Sequence, residues 1–118
     1  MAAQAHRLAP ESDVVELGAG EARTLVALSR QNGHRGTAVD FSAEALAGAR
    51  SLAERHNVPM ETIHADVRSW TPGRQWDAAL VTFMQLLPDE RPGLYRTMRE
   101  IVRPGGWIFG QWFRPEHV

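Results

Sequence analysis

Short apolar runs alternate along this chain with stretches whose apolar residues recur at helical spacing, and that alternation restricts the fold more than any other feature. Val14–Leu17 is a run of the first kind and ends in Gly18-Ala19-Gly20. Ala22–Gln31 then carries Leu25, Val26 and Leu28 at helical spacing until Asn32-Gly33 stops it. Thr37–Val39 reads as a second strand ending at Asp40. Ser42 N-caps a helix through His56, with Ala45, Leu46, Ala49 and Leu52/Ala53 on one apolar face. Met60–His64 predicts a third strand ending at Ala65-Asp66, Asp77–Phe83 a fourth and Trp107–Phe113 a fifth. Between the last two, Pro92 opens a helix with Leu94, Tyr95, Met98, Ile101 and Val102 facing inward, closed by Pro104-Gly105-Gly106. Strands this continuously apolar are buried on both faces, so the pattern predicts an α/β fold: a parallel sheet with right-handed crossovers. In such sheets ligands bind beyond the carboxyl ends of the strands, where the strand order reverses. Gly18–Gly20, Asp40, Asp66 and Phe83–Gln85 all fall at those ends.

Composition narrows the classes. With 118 residues, one domain over 1–118 is expected. Apolar residues at 43% and charged residues at 23% are those of a folding chain. The absence of cysteine removes disulfides, thiolate metal sites and a cysteine nucleophile, and agrees with a reducing compartment. Thirteen basic and 14 acidic residues leave a net charge of −1, without the positive field that nucleic-acid binding needs. Every basic residue is arginine, which excludes Schiff-base chemistry and the lysine of a phosphate-binding P-loop. No apolar run approaches the roughly 20 residues that span a bilayer. The expectation is a cytoplasmic protein with no membrane or nucleic-acid partner. The five histidines show no metal-ligand spacing, so no metal is expected.

The chemistry concentrates at three strand ends. In Glu16-Leu17-Gly18-Ala19-Gly20-Glu21-Ala22 the missing Cβ atoms at Gly18 and Gly20 let backbone N–H groups approach a ligand, or simply permit a tight turn. A dinucleotide fingerprint would want a small residue where Arg23 stands, and pyrophosphate is repelled by Glu21. Asp40, twenty positions after Gly20, is placed to accept hydrogen bonds from the vicinal hydroxyls of a ribose; the other reading is a helix-start aspartate. Asp40→Ala is expected to weaken ligand binding more than it weakens the fold, with the thermal stability of the free protein barely changed. Asp66 is either an acceptor for an adenine amine, with Ala65 and Val67 offering backbone groups beside it, or a turn aspartate. Gln85 is the best acceptor-side polar residue, or a loop glutamine. His64 reads as a packed residue or as a general base.

The series Val15-Glu16-Leu17-Gly18-Ala19-Gly20, Ala38-Val39-Asp40-Phe41-Ser42, His64-Ala65-Asp66-Val67, Trp76-Asp77-Ala78-Ala79-Leu80-Val81 and Arg103-Pro104-Gly105-Gly106 resembles the class I S-adenosylmethionine-dependent methyltransferases. Gly20-Glu21-Ala22-Arg23, Phe83-Met84-Gln85-Leu86-Leu87-Pro88 and Gly110-Gln111-Trp112-Phe113-Arg114-Pro115-Glu116 are similar to the tellurite-resistance-type members. The resemblance implies a Rossmann-like doubly wound parallel sheet of five strands in the order 3-2-1-4-5. It implies S-adenosylmethionine as cofactor: Gly18, Ala19 and Gly20 against the methionine part, Asp40 on the ribose, and Phe41 on the adenine. Asp66, Val67 and Phe83 complete the expected pocket. Arg23 would meet the cofactor carboxylate, and Glu16 its ammonium or the loop itself. The implied activity is methyl transfer to a small nucleophile of thiol, selenium or tellurium type. Two departures matter: Ala22 stands where a third glycine is usual, and the chain stops where the family adds an antiparallel strand pair. The alternatives are a non-catalytic S-adenosylmethionine-binding or protein-interaction module, and a fragment of a longer methyltransferase. Without further strands, Trp107–Phe113 would be an apolar edge, which predicts a homodimer or a partner chain along it.

Overall fold

β1 (Asp13–Leu17) lies in the interior of the sheet, its Val14, Val15 and Leu17 wholly buried. The computed structural model describes residues 9–82, 87–110 and 113–118. β1 pairs in parallel with β2 (Arg35–Asp40) on one side and β4 (Trp76–Val81) on the other. β2 pairs in parallel with β3 (Met60–His64), and β4 with β5 (Val102–Gly110). A sixth strand, β6 (Phe113–His117), runs antiparallel to β5, giving the order β3-β2-β1-β4-β5-β6. The reversal of strand order between β1 and β4 opens a crevice at their carboxyl ends.

Alternate side chains of each strand serve opposite faces. Val14, Ala38, Ala78 and Leu80 pack with Leu25 and Leu28 of α1 (Arg23–Asn32) and with Leu46 and Ala49 of α2 (Ala43–Arg55). Val15, Leu17, Val39, Ala79 and Val81 pack with Leu94, Met98 and Ile101 of α3 (Arg91–Ile101). Helices therefore cover both faces, as continuously apolar strands require. The caps follow from the residues. The Ser42 hydroxyl accepts from the Ala45 N–H at 3.1 Å, and left-handed Gly33 closes α1 by donating to the Ser29 carbonyl.

Three expectations are corrected at the carboxyl end of the chain. Val102 was expected on the last helix, but α3 stops at Ile101 and Val102 opens β5, because Pro104 cannot continue a helix. β5 then passes close against β4: a Cβ on Gly106 would lie 2.2 Å from the Asp77 carbonyl oxygen, where the ladder shifts register. The count of five strands was one short, and the strand expected over Trp107–Phe113 ends at Gly110. Arg114-Pro115 does not terminate the sheet, since an outermost strand has only one ladder and tolerates a proline. The Val118 N–H donates to the Gly106 carbonyl and the Gly105 N–H to the Val118 carbonyl, both at 2.8 Å; Trp107 stacks on His117, and Arg99 pairs with Glu116. β5 is thus covered by its own chain, which removes the reason for expecting a second copy there.

Asp13, at the amino end of β1, accepts from Arg35 Nε at 2.7 Å and faces Arg74 and Arg103 at 3.5 Å. Its backbone N–H donates to Asp77, which also pairs with Arg103. The Arg35 hydrogen bond chiefly holds the Asp13 carboxyl below its usual range. Nearby, the buried Trp76 indole N–H donates to the Thr37 hydroxyl at 3.2 Å. No helix among the described residues is long and apolar enough to cross a membrane.

Candidate functional site

Three residues of the turn after β1 occupy the left-handed region: Gly18 (φ 63°), Gly20 (φ 56°) and Ala22 (φ 59°). N–H groups of the turn are claimed within the chain: Ala19 donates to the Val39 carbonyl at 3.0 Å, Ala22 to the Ala19 carbonyl at 2.9 Å, and Gly20 to Asp40. Its Oδ2 accepts from the Gly20 N–H and its Oδ1 from the Ser42 N–H, each at 2.9 Å, so the carboxylate ties the turn to the start of α2. These two bonds give Asp40 a structural partner on each side of the cavity as well as a place in its lining. The Ala22 methyl belongs to the buried cluster under α1 and α2. At that φ it carries the roughly 1–2 kcal/mol strain of a left-handed L-residue.

A cavity of about 630 Å³ opens at this edge of the sheet. Glu16, Gly18, Ala19, Gly20, Arg23, Asp40 and Phe41, all expected from sequence, line it together with Glu21, Ala22, Thr24 and Thr82. Arg23 is 81% exposed and pairs weakly with Glu21 at 3.4 Å, so it is free to change partner. Phe41 is 75% exposed at the rim.

Glu16 is the unusual group. It is 1% exposed; the Thr82 hydroxyl donates to Oε2 at 2.5 Å, and Oε1 has no hydrogen-bond partner among the described residues. Burial pushes its carboxyl up to about 7. Thr82 was missed in the sequence reading. Its signal was a hydroxyl at the carboxyl end of an otherwise apolar strand, adjacent to the strand that carries Glu16.

Other expected residues are not gathered there. Asp66 is bound by Arg68, which donates from Nε to Oδ1 at 3.1 Å and from Nη2 to Oδ2 at 2.9 Å and lowers its carboxyl pKa. Val67 is buried in the apolar cluster on the α3 side, and neither residue lines the cavity. His64 bonds through Nε2 to the Phe41 carbonyl at 2.7 Å, which commits that nitrogen to holding β3 against the rim. Phe83 and Gln85 lie outside the described residues, as does Trp112.

Known proteins agree with this geometry. Residues 14–106 match the family model described as a methyltransferase domain. The fold is similar to that of an S-adenosylmethionine-dependent methyltransferase from Geobacter sulfurreducens in complex with S-adenosylhomocysteine. That pair shares 28% identity with a TM-score of 0.76, over 88% of this chain and 43% of the other. TehB from Haemophilus influenzae is 25% identical with a TM-score of 0.79, over 91% of this chain and 37% of its own. DhpI, in a complex with SAM and HEP, is 35% identical with a TM-score of 0.69, over 82% and 45%. The chain thus spans less than half the length of each of these structures. No curated protein sequence matches it significantly. The match over 14–106, on a sheet whose crevice carries the glycine turn and Asp40, means that this chain belongs to the methyltransferase domain family.

Proposed function

We propose that the cavity binds S-adenosylmethionine and that the protein transfers a methyl group to a small nucleophile. The observation that carries this reading is the gathering, in one cavity, of a left-handed glycine turn, a carboxylate at the end of β2 and a buried acid with an unpartnered oxygen. The residues suit each part of that molecule. Glu16 Oε1 takes the ammonium, and Arg23 the carboxylate by a charge-assisted pair. Asp40 spends one lone pair of each oxygen on a backbone N–H and keeps the others for ribose hydroxyls. Phe41 offers an uncommitted ring face to the adenine. The complexes named above, with S-adenosylhomocysteine or SAM, support the assignment.

When bound, the sulfonium supplies an electrophilic methyl group for in-line displacement. The chain's part is to hold the donor by its two polar ends and fix its direction, so that proximity and alignment supply the catalysis. A soft acceptor of thiol, selenium or tellurium type needs no strong base. Titration calorimetry with S-adenosylmethionine and S-adenosylhomocysteine tests the reading: saturable one-to-one binding is expected, and its absence for both overturns it. A panel of thiols and oxyanions, assayed for S-adenosylhomocysteine formation, then tests the acceptor class.

A further inference from the structure

Phe41 stands at the rim with little around it to fix its side chain: it is exposed and belongs to neither apolar cluster. Such a residue is placed by its backbone. The Asp40 carbonyl before it accepts from the Ala65 N–H at 3.0 Å, and the Ser42 N–H after it donates to Asp40 Oδ1 at 2.9 Å. The Phe41 carbonyl itself lies just beyond the last pair of the β2–β3 ladder, Asp40 with His64, and meets His64 Nε2 at 2.7 Å. A carbonyl oxygen only accepts, so Nε2 carries the hydrogen. Two residues back on the same face of β3, the Thr62 hydroxyl accepts from Arg50 of α2 at 2.8 Å. Ser42 caps that same helix, so β3, Phe41 and α2 form a closed ring of contacts around this part of the rim.

Resting on the S-adenosylmethionine reading, we propose that His64 is a positioning residue of the nucleoside pocket: by holding the Phe41 carbonyl it sets where the Phe41 side chain stands, and so how well the site takes the base of an adenine nucleoside. His64 does not line the cavity, whereas Phe41 does, so the imidazole acts on the ligand through Phe41. Without it, the segment between β2 and α2 keeps its anchors at Asp40 and Ser42 and loses the one at Phe41. The loss is selective. It falls on the base, for which stacking on an aromatic side chain is worth about fivefold or more in affinity. The amino-acid end, assigned to Glu16 and Arg23, is untouched.

Calorimetry of the intact chain with S-adenosylhomocysteine and adenosine tests this in the parent, His64→Ala, Phe41→Ala and the double variant, the folding of each checked by its unfolding transition. His64→Ala is expected to weaken both ligands by the same factor, about fivefold, and Phe41→Ala to weaken both by about tenfold. Adding His64→Ala to Phe41→Ala should change nothing further, a coupling that a histidine serving only the fold would not show. His64→Gln, whose amide N–H reaches the same carbonyl, should restore affinity. His64→Asn, one methylene shorter, should not. Unchanged affinity in His64→Ala or in Phe41→Ala, or the same His64→Ala loss with and without the Phe41 ring, overturns the positioning role and leaves the cofactor assignment standing. Failure of both nucleosides to bind the parent overturns both.

Discussion

Removing the Asp40 carboxylate tests how the cavity is held together before any ligand arrives. Its two oxygens accept from the N–H groups of Gly20 and Ser42 at 2.9 Å, and the side chain sits in a residue only 8% exposed. A hydrogen bond to a charged group contributes about 1.5–3 kcal/mol net. Both donors lie in partly buried loops that water reaches once the carboxylate is gone, so the lower end applies to each. Asp40→Ala is expected to cost about 3 kcal/mol, equivalent to roughly 10 °C in Tm for a chain of this size. Asp40→Asn keeps one accepting oxygen and turns an NH2 towards the other donor, so it should recover less than half of that loss. Urea denaturation of the ligand-free protein measures both, and an unchanged m value would show that the compared states are the same. If Asp40→Ala unfolds within 0.5 kcal/mol of the parent, the two N–H groups are satisfied without it and the anchoring argument is wrong.

Three further outcomes are expected. Gly106→Ala should cost several kcal/mol, because the new Cβ would meet the Asp77 carbonyl at 2.2 Å. Gly20→Ala meets nothing within 4 Å and should cost only the roughly 1–2 kcal/mol of its left-handed φ; chemical denaturation compares the two. Thr37→Val leaves the buried Trp76 indole N–H without an acceptor and should destabilise by about 1–3 kcal/mol, read from Tm. Glu16 acts in the opposite sense with pH. Its folded-state value of about 7 lies above the ordinary 4.5, so its contribution to stability is fully present below about 4.5 and is lost as pH rises through 7. Glu16→Gln should accordingly change stability little at pH 4.5 and stabilise the free protein by about 3 kcal/mol at pH 8, measured by urea titration at the two values.

Much of this arrangement was legible because it is local. The strand, glycine turn and helix around Gly18–Gly20, and the strand ending at Asp40, follow from short-range periodicity and turn chemistry, so Met60–His64 was placed to the residue. What escaped depends on contacts between distant residues. Thr82 matters only because β4 lies beside β1, 66 positions from Glu16, and no local pattern distinguishes its hydroxyl from any other. Asp66 had the right position along the chain, yet Arg68 two residues later claims its carboxylate, a competition that residue order leaves open. β6 has no continuous apolar run and carries Pro115, which a strand accommodates at a sheet edge, so no local pattern marks it.

The polarity of the sheet has a consequence for how such a protein can vary. Every residue assigned to the ligand stands at the carboxyl edge, whereas Asp13 and its arginines stand at the amino edge. The five residues of β1 separate the two by about 13 Å at the usual strand rise. That exceeds the distance over which substitutions usually interact, so changes at the two edges should add rather than compound. A lineage can therefore drift in heat tolerance by reshuffling charges at one edge while inheriting an unaltered grip at the other.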